Sequence, residues 1–179
     1  MKLSVLSIAL GLGLGLPQIY GLVNPAAFKA AVRKFPRSLP WGFALMLLAT
    51  AWFTWNVNQE ADSDFAALKR FLIPAFIAVG IGSCIFVQDF LAVRGLAVVV
   101  MLLAKLMVDT ARWTDSGWRV VISGWAYVLV VAGIWLTVSP WRLRDLLEWG
   151  TATEQRVRVG CALRLAFGLF VAGLGWLVF

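Results

Sequence analysis

The stretch from Ile81 to Trp113, IGSCIFVQDFLAVRGLAVVVMLLAKLMVDTARW, is apolar almost throughout yet carries Asp89, Arg94, Lys105, Asp109 and Arg112 at fixed places. A charge at the centre of a bilayer costs roughly 2.5 to 3.5 kcal/mol on insertion scales, so such charges mark either the ends of spans or a functional group inside one. Here the ends account for most of them. A turn near residues 88–90 and a second helix to about residue 108 put Asp89 and Arg94 at one membrane face. Lys105, Asp109 and Arg112 then fall at the other, with residues 95–104 as uninterrupted hydrocarbon. The pattern predicts a membrane hairpin.

The rest of the chain is as apolar. Of 179 residues 61% are hydrophobic and 14% charged, where a soluble domain carries about 25% charged residues. A span needs about 20 residues at 1.5 Å each, so the length allows six spans with short connections. The expected class is all-α: a single polytopic helical bundle over residues 1–179, with spans at 3–23, 41–57, 68–87, 91–108, 120–138 and 159–179. Two amphipathic interfacial helices are expected at 25–35 and 141–156.

The first span could pass for a signal peptide, but its apolar run continues past Pro17 to Val23 and no A-x-A site follows the core directly, which favours a retained helix. Pro17 is expected to kink it. Gly11 and Gly15 form a GxxxG that lets another helix approach closely, within the chain or in a partner. Pro17-Gln18 resembles the proline–glutamine pair of PQ-loop carriers; it covers two residues, is not repeated, and carries no assignment. Asn24-Pro25 supplies an N-cap and a first-turn proline for the next helix. There Phe28, Ala31, Val32 and Phe35 share one face, and Lys29, Arg33, Lys34 and Arg37 gather on the other. Such a basic interfacial helix suits anionic lipid headgroups or an acidic partner, and it also holds a loop on the cytoplasmic side.

The bases orient the bundle. Connections at 24–40, 88–94 and 140–158 hold nine Lys and Arg, against five in the N-terminus and the other loops. The nine are expected to be cytoplasmic, placing both termini and the acidic loop of Glu60, Asp62 and Asp64 outside, in a bacterial inner membrane. Trp41, Trp141 and Trp149 then lie at the inner boundary, and Trp52, Trp55, Trp113, Trp118 and Trp176 at the outer one.

Several functions are excluded or left without support. The chain has no histidine, which removes His-ligated haem, the usual zinc sites and His-based catalysis. Cys84 and Cys161 are too far apart in sequence for a CxxC site and read as reduced packing residues. The formal charge of +7 is concentrated in loops beside spans, where membrane orientation explains it without nucleic acid. No constellation for an enzyme, metal or cofactor is evident. Asp89 and Arg94 are the only tight polar pair, expected to be an ion pair capping the turn. Trp52-Phe53-Thr54 and Trp135-Leu136-Thr137, in helices running oppositely, hint at two inverted three-helix halves, the alternative reading being a small carrier or channel. Small-residue faces, amphipathic segments and the lack of catalytic groups point instead to a non-catalytic structural or accessory subunit, whose partners are anionic lipid and the helices of a membrane complex.

Overall fold

The computed structural model describes residues 2–59 and 63–179, with side chains described outside 63–67. Glu60 and Asp62 lie outside the described residues, and Asp64 enters only as a backbone position. The described chain is helical, without strands: α1 Leu3–Val23, α2 Pro25–Lys34, a 3-10 turn Phe35–Arg37, α3 Leu39–Gln59, α4 Ser63–Phe86, α5 Leu91–Arg112, α6 Arg119–Val138, α7 Trp141–Gly150 and α8 Glu154–Leu177. Among the described residues five helices, α1, α4 from Leu68, α5, α6 and α8, are long and apolar enough to cross a membrane. The chain is therefore an all-α, multi-pass membrane bundle.

The boundaries follow local chemistry. Asn24 serves two helices at once: its N–H bonds to Tyr20 O at 2.8 Å, closing α1, and its Oδ1 accepts from Ala27 N at 3.2 Å, opening α2. The second interfacial helix ends earlier than expected, at Gly150, and α8 starts earlier, at Glu154. The cause is Thr153, whose hydroxyl accepts from Arg156 N, with Glu154 in the first turn beside the positive helix end. The charged run 154–158 thus belongs to α8. Helix α1 continues through Pro17. The turn between α4 and α5 puts Phe90 at φ 56°, a left-handed conformation uncommon for a bulky residue.

The chain forms two compact units. The first comprises Met1–Lys34, Leu103–Val130 and Arg144–Phe179. Its core joins Leu3 and Leu6 of α1, Ala104, Met107 and Ala111 of α5, Ile122 and Ala126 of α6, and Val171 of α8. Here α1 and α8 run antiparallel with backbones nearly touching. A Cβ on Gly168 would lie 2.6 Å from Gly11 O, and one on Gly175 would lie 2.8 Å from Ser4 O. With no hydrophobic drive between helices in lipid, this close approach is the main source of association. The GxxxG face of Gly11 and Gly15 is accordingly filled by α8 of the same chain, so it offers no surface to a partner.

The second unit comprises Phe35–Leu102 and Val131–Leu143. Helix α3 runs antiparallel to α4, through Met46 with Cys84, Thr50 with Gly80, and Phe53 edge-on to Phe76 at 4.5 Å. It runs parallel to α5, where a Cβ on Gly95 would lie 2.8 Å from Met46 N. Val93, Ala97 and Leu136 join α5 to α6. At 21 residues α3 spans about 31 Å and carries no charged residue, but Trp41, Trp52, Trp55, Asn56 and Asn58 make it less apolar than the five. Neither unit is a run of three consecutive helices. Cys84 and Cys161 are buried and free.

Candidate functional site

The first unit contains a cleft of about 750 Å³ bounded by α1, α2, α7 and the start of α8. Its construction begins with the end of α7. The last carbonyls of a helix have no partner within it and form its negative pole. Thr151, the buried residue after Gly150, meets Leu147 O through both its N–H at 2.9 Å and its hydroxyl at 2.6 Å. The next carbonyls are met by cations. Arg33 Nη2 donates to Glu148 O and Thr151 O, each at 3.2 Å, while its Nε donates to Thr151 Oγ1 at 2.8 Å. Lys29 Nζ donates to Ala152 O at 3.2 Å. Arg156 Nη1 donates to Trp149 O at 3.3 Å, with its guanidinium 5.3 Å above the Trp149 ring.

This changes the role of the basic helix. Lys29 and Arg33 lie one turn apart on α2 and both reach into the α7–α8 turn, where they donate to backbone carbonyls and to the Thr151 hydroxyl of the protein itself. Lys34 is exposed, and Arg37, in the second unit, lies 5.9 Å from the Phe90 ring. The four bases read as one lipid-facing surface are therefore divided among three environments. The face of α2 that carries Phe28 and Val32 lines the cleft instead, as the amphipathic pattern requires.

Within the cleft, Leu14, Phe28, Val32, Leu147 and Leu163 form apolar walls, with Arg156, Arg164, Thr153 and Gln18 as polar elements. Arg164 has no hydrogen bond or ion pair among the described residues. Gln18 is buried; its Nε2 bonds to Leu14 O at 3.2 Å, but its Oε1 is buried and has no hydrogen-bond donor. An unmet buried acceptor is uncommon, because desolvation costs about 1 to 3 kcal/mol. Chemically, the cleft can take an amphiphile whose body is apolar and whose head carries negative charge and a hydrogen-bond donor.

On α7 outside the cleft, Arg144 pairs with Asp145 at 2.9 Å and lies 3.9 Å from Glu148. The hydrogen bond with Asp145, then the charge of that carboxylate, raises the Arg144 guanidinium above its usual range. In α5, Lys105 and Asp109 pair at 2.9 Å.

The expected Asp89–Arg94 ion pair does not form among the described residues. Asp89 sits in the exposed turn before Phe90, while Arg94 lies one turn into α5 and lines a second-unit cavity, its Nε buried and unbonded. Between them stands the left-handed Phe90, which breaks the helix that would otherwise have carried both residues. Sequence reasoning also missed Gln18, Thr151, Arg156 and Arg164 as parts of one site. A glutamine inside an apolar span was the available signal for the first; the others are joined by contacts between distant segments. No family model, curated protein or solved structure matches the chain.

Proposed function

We propose that this protein is a non-catalytic accessory component of a bacterial inner membrane that holds an anionic lipid in the first-unit cleft. The carrying observation is the pairing of apolar walls with Arg156, Arg164 and an unmet acceptor on Gln18. Phosphate meets guanidinium through charge-assisted, bidentate hydrogen bonds, and a headgroup hydroxyl supplies the donor that Gln18 Oε1 lacks. Acyl chains occupy the Leu14, Phe28 and Leu163 walls. Partner helices dock on the apolar outer faces of α4 and α6, where Phe71, Ile85, Val128 and Val131 are exposed.

The nine bases on three connections support cytoplasmic placement of α2, α7 and the cleft, with both termini outside. That orientation requires α3 to cross. Its stepwise packing along α4, from Met46 to Phe53, supports a sixth span despite its diluted hydropathy. Reporter fusions at each terminus test the parity: signals from the same side agree with six crossings, and opposite sides refute it.

Lipid binding is tested by thermal unfolding of the full chain in vesicles of phosphatidylcholine with and without phosphatidylglycerol. A ligand of the folded state raises the midpoint by mass action. The wild type should rise with phosphatidylglycerol, and Arg156→Gln/Arg164→Gln should lose that rise. An equal rise in both proteins would sink the assignment.

A further inference from the structure

The second unit holds a cavity of about 400 Å³ between α3, α4, α5 and α6, with Met46, Phe53, Phe76 and Met101 among its walls. One charged side chain lines it: Arg94. Its Nε is buried without an acceptor, and no Asp or Glu is among the lining residues. The guanidinium is a planar fork of N–H donors with no acceptor of its own, so an unmet N–H can be satisfied only by an external acceptor. Arg94 as a whole is half-buried, but a polar atom out of water, as its Nε is, ordinarily has a hydrogen-bond partner.

Three hydroxyls share the cavity, and each has its hydrogen engaged. Thr50 donates to Met46 O at 2.8 Å, Ser83 to Val79 O at 2.7 Å and Thr137 to Gly133 O at 2.9 Å. They offer no competing donor, so attraction for negative charge falls to Arg94 alone. Helix α5 also begins at Leu91, so its positive end lies one turn away and adds to the field around Arg94. Two aromatic rings and two thioethers favour an apolar body attached to the charge.

We propose that Arg94 and this cavity form an oxyanion site for a carboxylate or phosphate group bearing an apolar substituent, separate from the lipid cleft of the first unit. The oxyanion has two sources, a soluble monoanion or a lipid headgroup entering from the bilayer. Either way the guanidinium supplies the paired geometry that a lysine lacks.

The test uses the full chain in phosphatidylcholine nanodiscs, titrated with butyrate and with inorganic phosphate. A second arm adds phosphatidylglycerol and weighs the retained lipid by native mass spectrometry. A soluble ligand gives saturable binding in the first arm, weakened about tenfold or more by Arg94→Gln and less by Arg94→Lys. A lipid source leaves the first arm flat and gives Arg94-dependent lipid retention in the second. Arg156→Gln/Arg164→Gln should leave soluble-ligand binding and the Arg94-dependent part of the retained lipid unchanged, which separates this site from the cleft. Circular dichroism and the folded Arg94→Lys protein control for misfolding. Binding unaffected by Arg94→Gln, or none in either arm, overturns the proposal.

Discussion

Arg33 in the first unit and Arg94 in the second carry the same guanidinium into opposite surroundings. Arg33 stands on an amphipathic surface helix and spends its donors on Glu148 O, Thr151 O and Thr151 Oγ1. Arg94 starts a membrane helix and keeps its Nε buried and unbonded. The first arginine fastens two elements of the fold, so removing it should loosen the structure. The second is an uncompensated charge, so removing it should cost the fold little and a ligand much. The units differ in packing as well. Backbone contact between α1 and α8 dominates the first, whereas side chains such as Thr50, Phe53 and Phe76 mediate the α3–α4 contact of the second.

The largest effect should come from Gly168→Leu, because any Cβ there meets Gly11 O and Gly15 N. Overpacking against backbone that cannot yield should cost about 3 kcal/mol or more. Gly13→Ala, with no atom within 4 Å of its added carbon, should be neutral or stabilise by up to about 1 kcal/mol. Chemical unfolding in detergent compares the two, and an equal loss would show that the backbone contact does not matter.

Next, Arg33→Ala should destabilise by about 1 to 2 kcal/mol, since it strips donors from the end of α7. Lys34→Ala on the neighbouring exposed position should stay within about 0.5 kcal/mol. If the two variants lose equally, the capping role is wrong and general surface charge explains both. Arg94→Met sharpens the comparison with a change of sign: its stability should equal or exceed that of the wild type by up to about 1 kcal/mol, because an apolar side chain replaces a half-buried guanidinium whose Nε has no acceptor.

The smallest effect belongs to Arg144→Gln, a change at an exposed pair that should leave the midpoint unaltered. Arg144 is raised in the folded protein by Asp145. Its contribution is therefore fully present below the ordinary guanidinium range and is lost only as pH rises through the still higher folded value. Between about pH 5 and 9 the difference between wild type and Arg144→Gln should be flat. A slope in that window would reveal a proton-linked partner.

Much of the architecture was legible from the chain itself, because hydropathy runs set the spans and Asn24-Pro25 set the start of α2. The N-terminal end of α8 was not, since residues 154–156 read as the end of the interfacial helix and Arg158 as its connection to the last span, whereas Thr153 caps them into α8. The site was less legible still. Arg33 and Thr151 are 118 residues apart, and no local pattern on α2 distinguishes a base that caps a distant helix from one that faces lipid. Asp89 and Arg94 failed as a pair for the opposite reason. Their nearness in sequence suggested contact, but Asp89 stays in the exposed turn while Arg94 belongs to α5 and lines a cavity, with the left-handed Phe90 between them.

The account rests on a division of labour: Lys29 and Arg33 hold the α7–α8 turn, while Arg156, which also meets Trp149 O there, lines the cleft with Arg164 as the proposed ligand site. Native mass spectrometry of the protein released from membrane nanodiscs, weighing the lipids that remain bound, tests that division most directly. With Arg94→Gln as the common background, the otherwise unaltered chain and Lys29→Gln should both retain an anionic phospholipid above its bulk proportion, and Arg156→Gln/Arg164→Gln should not. Retained lipid that mirrors the bulk membrane in all three proteins, or enrichment that survives loss of both arginines, would contradict it.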